Sequence, residues 1–293
     1  MSNYEYKARE MVAKAEKKLK GYSFLGGMGA KYDDAAELLE SAGNNFKLAK
    51  AWRDAGDTYS KLAEVHVKQD SKTDAAQAYV EASKAYQRVD KSNALRCMHK
   101  AIGYYTDLGR LGMAARNLRE VAETQEKAGL KEECIEFYDK AAELFEVENQ
   151  SSEANKCRLK IALFSAELER FPVAIEIYES IAKSQVENNL LKYSAKSNLL
   201  NAGLCRLNVD DEHTLRTALE RYDDIDVSYR GSREATFLMA LAEAREVGDS
   251  QKFTDAIAEY DSMTRLDGWK TQLLLRVKKR LTDVAEGEEE DLT

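Results

Sequence analysis

Residues 52–82 read WRDAGDTYSKLAEVHVKQDSKTDAAQAYVEA. A small residue, Ala55, is followed four positions on by Tyr59 and seven positions on by Leu62, and about twenty residues later Ala75, Tyr79 and Ala82 repeat the pattern. Offsets of four and seven fall on one face of a helix. Working outward, the beat returns at Ala35, Leu39 and Ala42, at Ala94, Met98 and Ala101, and at Ala114, Leu118 and Val121. It continues at Cys134, Tyr138 and Ala141 and at Ala174, Tyr178 and Ile181, while the turn at Ala154 puts Arg158 in the middle slot. About twenty residues is one helix plus one turn, and two such units make a helical hairpin. The expected fold is therefore all-α, a stack of helical hairpins forming a solenoid.

Composition agrees. The chain of 293 residues has a single proline, Pro172, and little β-branched alternation. Its abundant alanine, leucine, glutamate and lysine lose least on becoming helical. With 44 basic and 52 acidic residues the formal net charge is -8, which argues against a nucleic-acid partner. Cys97, Cys134, Cys157 and Cys205 have no C-x-x-C spacing and read as buried thiols of a reducing compartment. No apolar run approaches the roughly twenty residues of a membrane span. The first residues, MSNYEYKARE, are not those of a signal peptide, so a cytoplasmic location is expected.

The organisation expected is an N-terminal hairpin solenoid over 1–185, a C-terminal helical cap over 186–285 and a flexible acidic tail over 286–293. A first helix covers residues 4–20. Residues 21–29 then carry four glycines among Tyr22, Phe24, Leu25 and Met28, and so form an apolar loop. Two readings of it stand: a cap folded back on the first hairpins, or an exposed tip that enters a lipid interface. Lys72-Thr73-Asp74 and Gly109 to Gly112 mark turns. Trp52, Gly56 and Tyr59, followed by Ala75 and Tyr79, resemble the two halves of the tetratricopeptide signature, with a longer gap and no closing proline. Past residue 186 the period weakens. Helices are expected over 191–207, 213–222, 232–247, 252–263 and 268–284.

No catalytic constellation emerges. His66, His99 and His213 lack the pairing of a zinc motif, and His66 falls on the core face of its repeat. The glycines at 26, 27 and 29 have no G-K-[ST] after them, and Tyr32 stands where a third fingerprint glycine belongs. No cofactor or metal is expected, and the chain does not read as an enzyme. The basic residues say more. Lys50, Arg110, Arg116, Lys156, Lys160, Lys192, Lys196 and Arg233 recur at repeat-like intervals. Arg116, Lys156 and Lys196 are forty apart, each one or two residues after the anchors Ala114, Ala154 and Ala195. Equivalent positions of successive hairpins would line them into a ladder facing an elongated acidic object. The competing reading is a chance spread of surface cations.

Several segments together are more specific than the repeat. They are Ala49-Lys50-Ala51-Trp52, AIGYYTDLGR over 101–110, SEANKC over 152–157, LLKYSAK over 190–196, Ser232-Arg233-Glu234, EYDSMTRLDGW over 259–269 and EEEDL over 288–292. Through them the chain resembles the soluble NSF attachment protein family, most closely its alpha type, over essentially its full length. The resemblance implies an adaptor without an active site. It would coat the four-helix bundle of syntaxin-type SNARE proteins left after membrane fusion and recruit the hexameric ATPase NSF, which disassembles the bundle. The family's SNARE-facing basic residues are matched by Lys50, Arg110, Arg116, Lys156, Lys160, Lys196 and Arg233, with Arg116 where the alpha type has lysine. Its apolar contact is matched by Leu190 and Tyr193. Its NSF-facing acidic residues are matched by Asp210, Glu243 and Glu246 and by Glu288, Glu289, Glu290 and Asp291. Leu292 matches the family's penultimate leucine. Peripheral membrane contact falls to Tyr22, Phe24, Leu25 and Met28, a loop with fewer phenylalanines than the alpha type. A tetratricopeptide scaffold for extended peptides, unrelated to SNAREs, remains the alternative.

Overall fold

The computed structural model describes residues 2–20, 28–188 and 191–290, with side chains described for all of these except 28, 29, 192 and 284–290. Among the described residues there are helices and turns only. The helices are α1 (Asn3–Lys20), α2 (Met28–Leu48), α3 (Trp52–Lys68), α4 (Lys72–Tyr86), α5 (Lys91–Asp107), α6 (Leu111–Ala128) and α7 (Lys131–Val147). They continue as α8 (Ser151–Glu167), α9 (Phe171–Val186), α10 (Lys192–Arg206), α11 (Glu212–Ile225), α12 (Arg233–Glu246), α13 (Ser250–Met263) and α14 (Gly268–Glu290). The chain divides into two compact units, Met1–Ala154 and Asn155–Thr293. No described helix is long and apolar enough to cross a membrane.

In the first unit each helix packs on the next in the chain. The anchors Ala35, Ala55, Ala75, Ala94, Ala114 and Cys134 are buried, as are their partners at the fourth and seventh positions. A residue without bulk at the anchor lets neighbouring helices approach closely. Two glycines take this further. The Tyr59 ring lies on Gly43, where a Cβ would stand 2.7 Å from Cζ, and the Tyr59 hydroxyl donates to Asn44 Oδ1 at 2.8 Å. Tyr86 repeats the arrangement one helix further on. Its ring lies on Gly56, with 2.7 Å from a Cβ to Cε1, and its hydroxyl donates to Asp57. Burial and that carboxylate push the Tyr86 hydroxyl far above its ordinary value, so it remains a donor.

The turns share a device with the same period. Lys50, Asp70, Gly109, Gly129, Asn149 and Glu169 all have φ between +56° and +78°. One left-handed residue reverses the chain within two or three residues, which makes consecutive helices antiparallel. The α4–α5 connection lacks it and instead starts α5 with an Asp90 cap, whose carboxylate accepts from Asn93 N at 3.1 Å. The first expected turn is displaced. Lys72-Thr73-Asp74 opens α4, and the chain reverses at Gln69–Ser71 instead, because Asp70 at φ 58° supplies the bend. Gly109 turns as expected, but Gly112 lies buried inside α6, beside the Gln150 side chain.

In the second unit the beat does not stop at residue 186. Ala195, Leu199 and Ala202 are buried at the same offsets, then Leu215, Leu219 and Tyr222. Phe253 and Tyr260 are buried with Ile257 packed against them. The anchors at 215 and 253 are large, so the small-residue signal fades although the spacing persists. All four cysteines are buried thiols. His66 is half-buried, its Nδ1 2.9 Å from Gln69 Oε1. The acidic stretch expected to be flexible from residue 286 is helical in α14 as far as Glu290, since adding residues to an existing helix costs far less than nucleating one. The expected loop over 21–29 falls on residues 21–27, outside the described residues; the backbone of Met28 and Gly29 belongs to α2.

Candidate partner-binding surfaces

The basic candidates occupy particular places in the topology. Arg110 is the residue before α6, and Arg116 lies in its second turn; both are exposed. Burial raises the Tyr105 hydroxyl, and the charge of nearby Arg110 opposes that rise. Lys156 and Lys160 are four apart on α8, on one face, with Lys160 Nζ 5.9 Å from the Phe164 ring centroid. Tyr193 and Lys196 lie in the first turns of α10, and Arg233 is the first residue of α12. Tyr193 is 87% exposed, the most exposed large apolar side chain described.

Five of the seven cations, Arg110, Arg116, Lys156, Lys196 and Arg233, therefore sit at or within the first two turns of even-numbered helices, and Lys160 lies one turn further along α8. Lys50 does neither. It forms the α2–α3 turn, exposed, at φ 58°. Within the first unit that turn and the α5–α6 turn carrying Arg110 are at opposite ends of α5. Arg53, at the start of α3, pairs with Asp90, at the start of α5, at 3.2 Å. The 17 residues of α5 then span about 25 Å to Arg110. The structure thus separates Lys50 from Arg110 and Arg116 along the helix direction instead of placing them in one row.

For Arg233, in the first turn of α12, the position carries no benefit for helix stability. The amino end of a helix is the positive end of its dipole, and a cation there is unfavourable by about 0.3–1 kcal/mol. Among the described residues, Lys50, Arg110, Arg116, Lys196 and Arg233 form no ion pair. By contrast Lys18, Lys47, Arg53, Lys61, Arg119, Arg206 and Arg216 each meet a carboxylate on another helix or turn.

The acidic candidates lie at the other end of the second unit. Asp210 follows α10, and Glu243 and Glu246 are in the last turn of α12. Arg245 shows that these helix ends coincide, because its guanidinium donates to the carbonyls of Leu207 at 2.5 Å and Asp210 at 2.9 Å. From Arg233 to Glu246 along α12 is about 20 Å. The three acids differ in availability. Asp210 is mostly covered and paired with Arg206 at 2.8 Å. Burial alone would lower the Arg206 value, but hydrogen bonds to Glu179 and Asp210 hold it above the ordinary one. Glu246 pairs with Arg216, and Glu243 is exposed. Arg206, Arg245 and Arg280 at this end turn inward, an arrangement that no spacing in the sequence marks.

The remaining candidates cannot be placed by side chain. Tyr22, Phe24, Leu25, Leu190, Asp291 and Leu292 lie outside the described residues. For Met28, Glu288, Glu289 and Glu290 only the helical backbone is described.

The pattern of folded helices and polar ends has relatives. The model of the family described as "Soluble NSF attachment protein, SNAP" matches residues 6–282. The chain is 44% identical over 293 residues to the alpha-soluble NSF attachment protein of Vitis vinifera, covering 100% of each. It is 39% identical over 289 residues to the beta-soluble NSF attachment protein of Bos taurus, covering 97% of each. It is also 37% identical over 289 residues to the probable vesicular-fusion protein sec17 homolog of Schizosaccharomyces pombe, covering 97% of this chain and 98% of that one. The chain belongs to the soluble NSF attachment protein family.

Proposed function

We propose that this chain is an adaptor that binds assembled SNARE complexes and recruits and stimulates the NSF ATPase, so that the complexes are taken apart after membrane fusion. Family membership over residues 6–282 supports the role, and the full-length relatives disfavour an unrelated peptide-binding scaffold. The adaptor carries no reaction of its own and leaves ATP hydrolysis to its partner. It works in the cytoplasm on bundles of the syntaxin type. Peripheral membrane contact through Tyr22, Phe24, Leu25 and Met28 holds it near its substrate.

One observation carries the assignment of surfaces: the candidate charges of α10 and α12 stand against the dipoles of those helices, although Glu234, Arg206 and Arg245 on the same helices follow them. Lys196 and Arg233 stand at the positive ends of α10 and α12, and Asp210, Glu243 and Glu246 at the negative ends. Lys196, Arg233 and Glu243, which form no ion pair among the described residues, add to the helix-end potential, whereas Asp210 and Glu246 are offset by Arg206 and Arg216. One end of the unit attracts an acidic partner, and the other, about 20 Å away, a basic one. In this reading Lys156, Lys160, Lys196 and Arg233, with Leu190 and Tyr193 as the apolar contact, meet the SNARE bundle. Lys50, Arg110 and Arg116 of the first unit serve the same bundle. Asp210, Glu243, Glu246, the acidic run Glu288 to Asp291 and Leu292 serve the ATPase.

The test is disassembly of a purified SNARE complex by NSF and ATP, with and without this chain, alongside the double variant Arg116→Glu/Lys156→Glu. Disassembly that requires the parent chain, and capture of the bundle that falls at least tenfold in the variant at unchanged helicity, is the expected result. Equal capture by variant and parent refutes the basic surface.

A further inference from the structure

The α10–α11 turn is held from three sides. The last carbonyls of a helix have no partner within it. Here Arg245 of α12 takes those of Leu207 and Asp210, and Arg206 takes the Asp210 carboxylate at 2.8 Å. The third tie comes from α14. Arg280 Nη1 donates to the carbonyl of Asn208 at 3.0 Å, and Nη2 to Asn208 Oδ1 at 3.0 Å. Asn208 is itself buried and fixed, its Nδ2 donating to Leu204 O at 3.0 Å. A planar guanidinium on two acceptors of one residue sets direction as well as distance.

Arg280 is the last side chain of α14, among the described residues, that bonds outside its own helix. Before it, Trp269 stacks on Tyr178 with centroids 6.3 Å apart, Arg276 pairs with Glu169, and Leu273, Leu274 and Val277 are buried; Leu281, the next residue, is buried too. These apolar contacts and a partly exposed ion pair hold α14 down, but they fix its direction less sharply than a two-pronged hydrogen bond does. The helical backbone runs on past Arg280, reaching Glu288 about 12 Å further along. A tilt of about 15° at Arg280 would move that point by about 3 Å. This is the difference between a direct ion pair and one separated by water.

We propose that Arg280 is a positioning residue for the acidic surface. By fixing α14 to Asn208, it sets where the acidic end of α14 lies relative to Asp210, Glu243 and Glu246, so that a basic partner meets them together. The proposal rests on the reading that this end of the unit faces the ATPase. It adds that one guanidinium joins α14 to an end that Arg245 and Arg206 already hold together, and that the contact therefore depends on a residue which does not itself meet the partner.

The experiment uses the full chain with Arg280→Gln and Arg280→Lys. It measures SNARE-dependent stimulation of NSF ATPase against adaptor concentration, SNARE capture, and helicity. Arg280→Gln is expected to raise the half-maximal concentration about tenfold with SNARE capture within about twofold of the parent, because losing a charge-assisted pair of bonds removes the restraint. Arg280→Lys keeps the charge but not the two-pronged geometry, and is expected to recover only part of the loss. Unchanged stimulation by Arg280→Gln overturns the proposal, as does a parallel fall of stimulation and capture, or full recovery by lysine. If the glutamine variant does not fold, the lysine variant decides by the same split. A Glu243→Lys/Glu246→Lys protein is assayed beside them. Normal stimulation by that protein sinks the acidic-surface reading itself, whereas its impairment beside normal Arg280→Gln sinks only the positioning role.

Discussion

Replacing Gly56 by alanine sets two physical effects of opposite sign against each other. Gly56 is buried inside α3, and alanine there gains about 1 kcal/mol of helix propensity. The new Cβ, however, would stand 2.7–2.8 Å from Cε1, Cδ1 and Cζ of Tyr86. An aromatic ring cannot swing away as a flexible chain end can, and this one is 3% exposed with its hydroxyl tied to Asp57. Overpacking of this kind costs about 1–3 kcal/mol. Displacing the ring also loosens a hydrogen bond to a carboxylate, worth about 1.5–3 kcal/mol. The net expectation is a destabilisation of about 2–4 kcal/mol, or roughly 5–15 °C in the midpoint for a unit of this size. Each unit contains one tryptophan, Trp52 in the first and Trp269 in the second. Urea unfolding followed by Trp52 fluorescence in a Trp269→Phe background therefore reports on the unit concerned. A Gly56→Ala protein as stable as its parent, or more so, refutes the close-packing account. Truncating Tyr86 to alanine as well should make the glycine substitution neutral or favourable.

Three further outcomes follow from the structure. Lys50→Gly should leave stability within about 1 kcal/mol of the parent, because relief at φ 58° offsets the added freedom of the unfolded chain, yet weaken SNARE binding about two- to fivefold. Undiminished binding would remove Lys50 from the basic surface. The capping carboxylates of Asp90, Asp211 and Asp249 are held below their ordinary 3.8, in each case first by backbone N–H donors. Their contribution is thus present above about pH 4 and is lost as pH falls further. Asn caps equally well without titrating, so Asp249→Asn should flatten the fall of the urea midpoint between pH 7 and pH 3, and identical profiles would contradict this. Burial pushes the Cys205 thiol up to about 12 and raises Cys97. The native protein at pH 8 should therefore resist a thiol reagent that labels all four cysteines after unfolding, and rapid native labelling would count against these buried positions.

How much of this was written in the sequence differs from residue to residue. The spacing of Ala55, Tyr59 and Leu62, and its return at Ala75 and Ala94, determined the helical hairpins, since only one helical face can bury residues four and seven apart. Segments such as LLKYSAK determined the family. The beat at Leu215 and Phe253 was harder to see because the anchor there is large; the offsets survive but the small-residue cue does not. The turn at Asp70 lies a few residues before the one expected at Lys72, because nothing local distinguishes a non-glycine residue that will adopt positive φ. The forty-residue recurrence of Arg116, Lys156 and Lys196 gave the basic candidates but not their ends of the helices. That needed the alternation of helix direction, which separates Lys50 from Arg110. Asp210 looked as available as Glu243, and only the fold shows it paired with Arg206. Local periodicity specifies which face of a helix is buried, because that depends on neighbours within two turns. The convergence of Arg206, Arg245 and Arg280 on one turn depends on residues up to 72 positions apart, and so belongs to the tertiary structure alone.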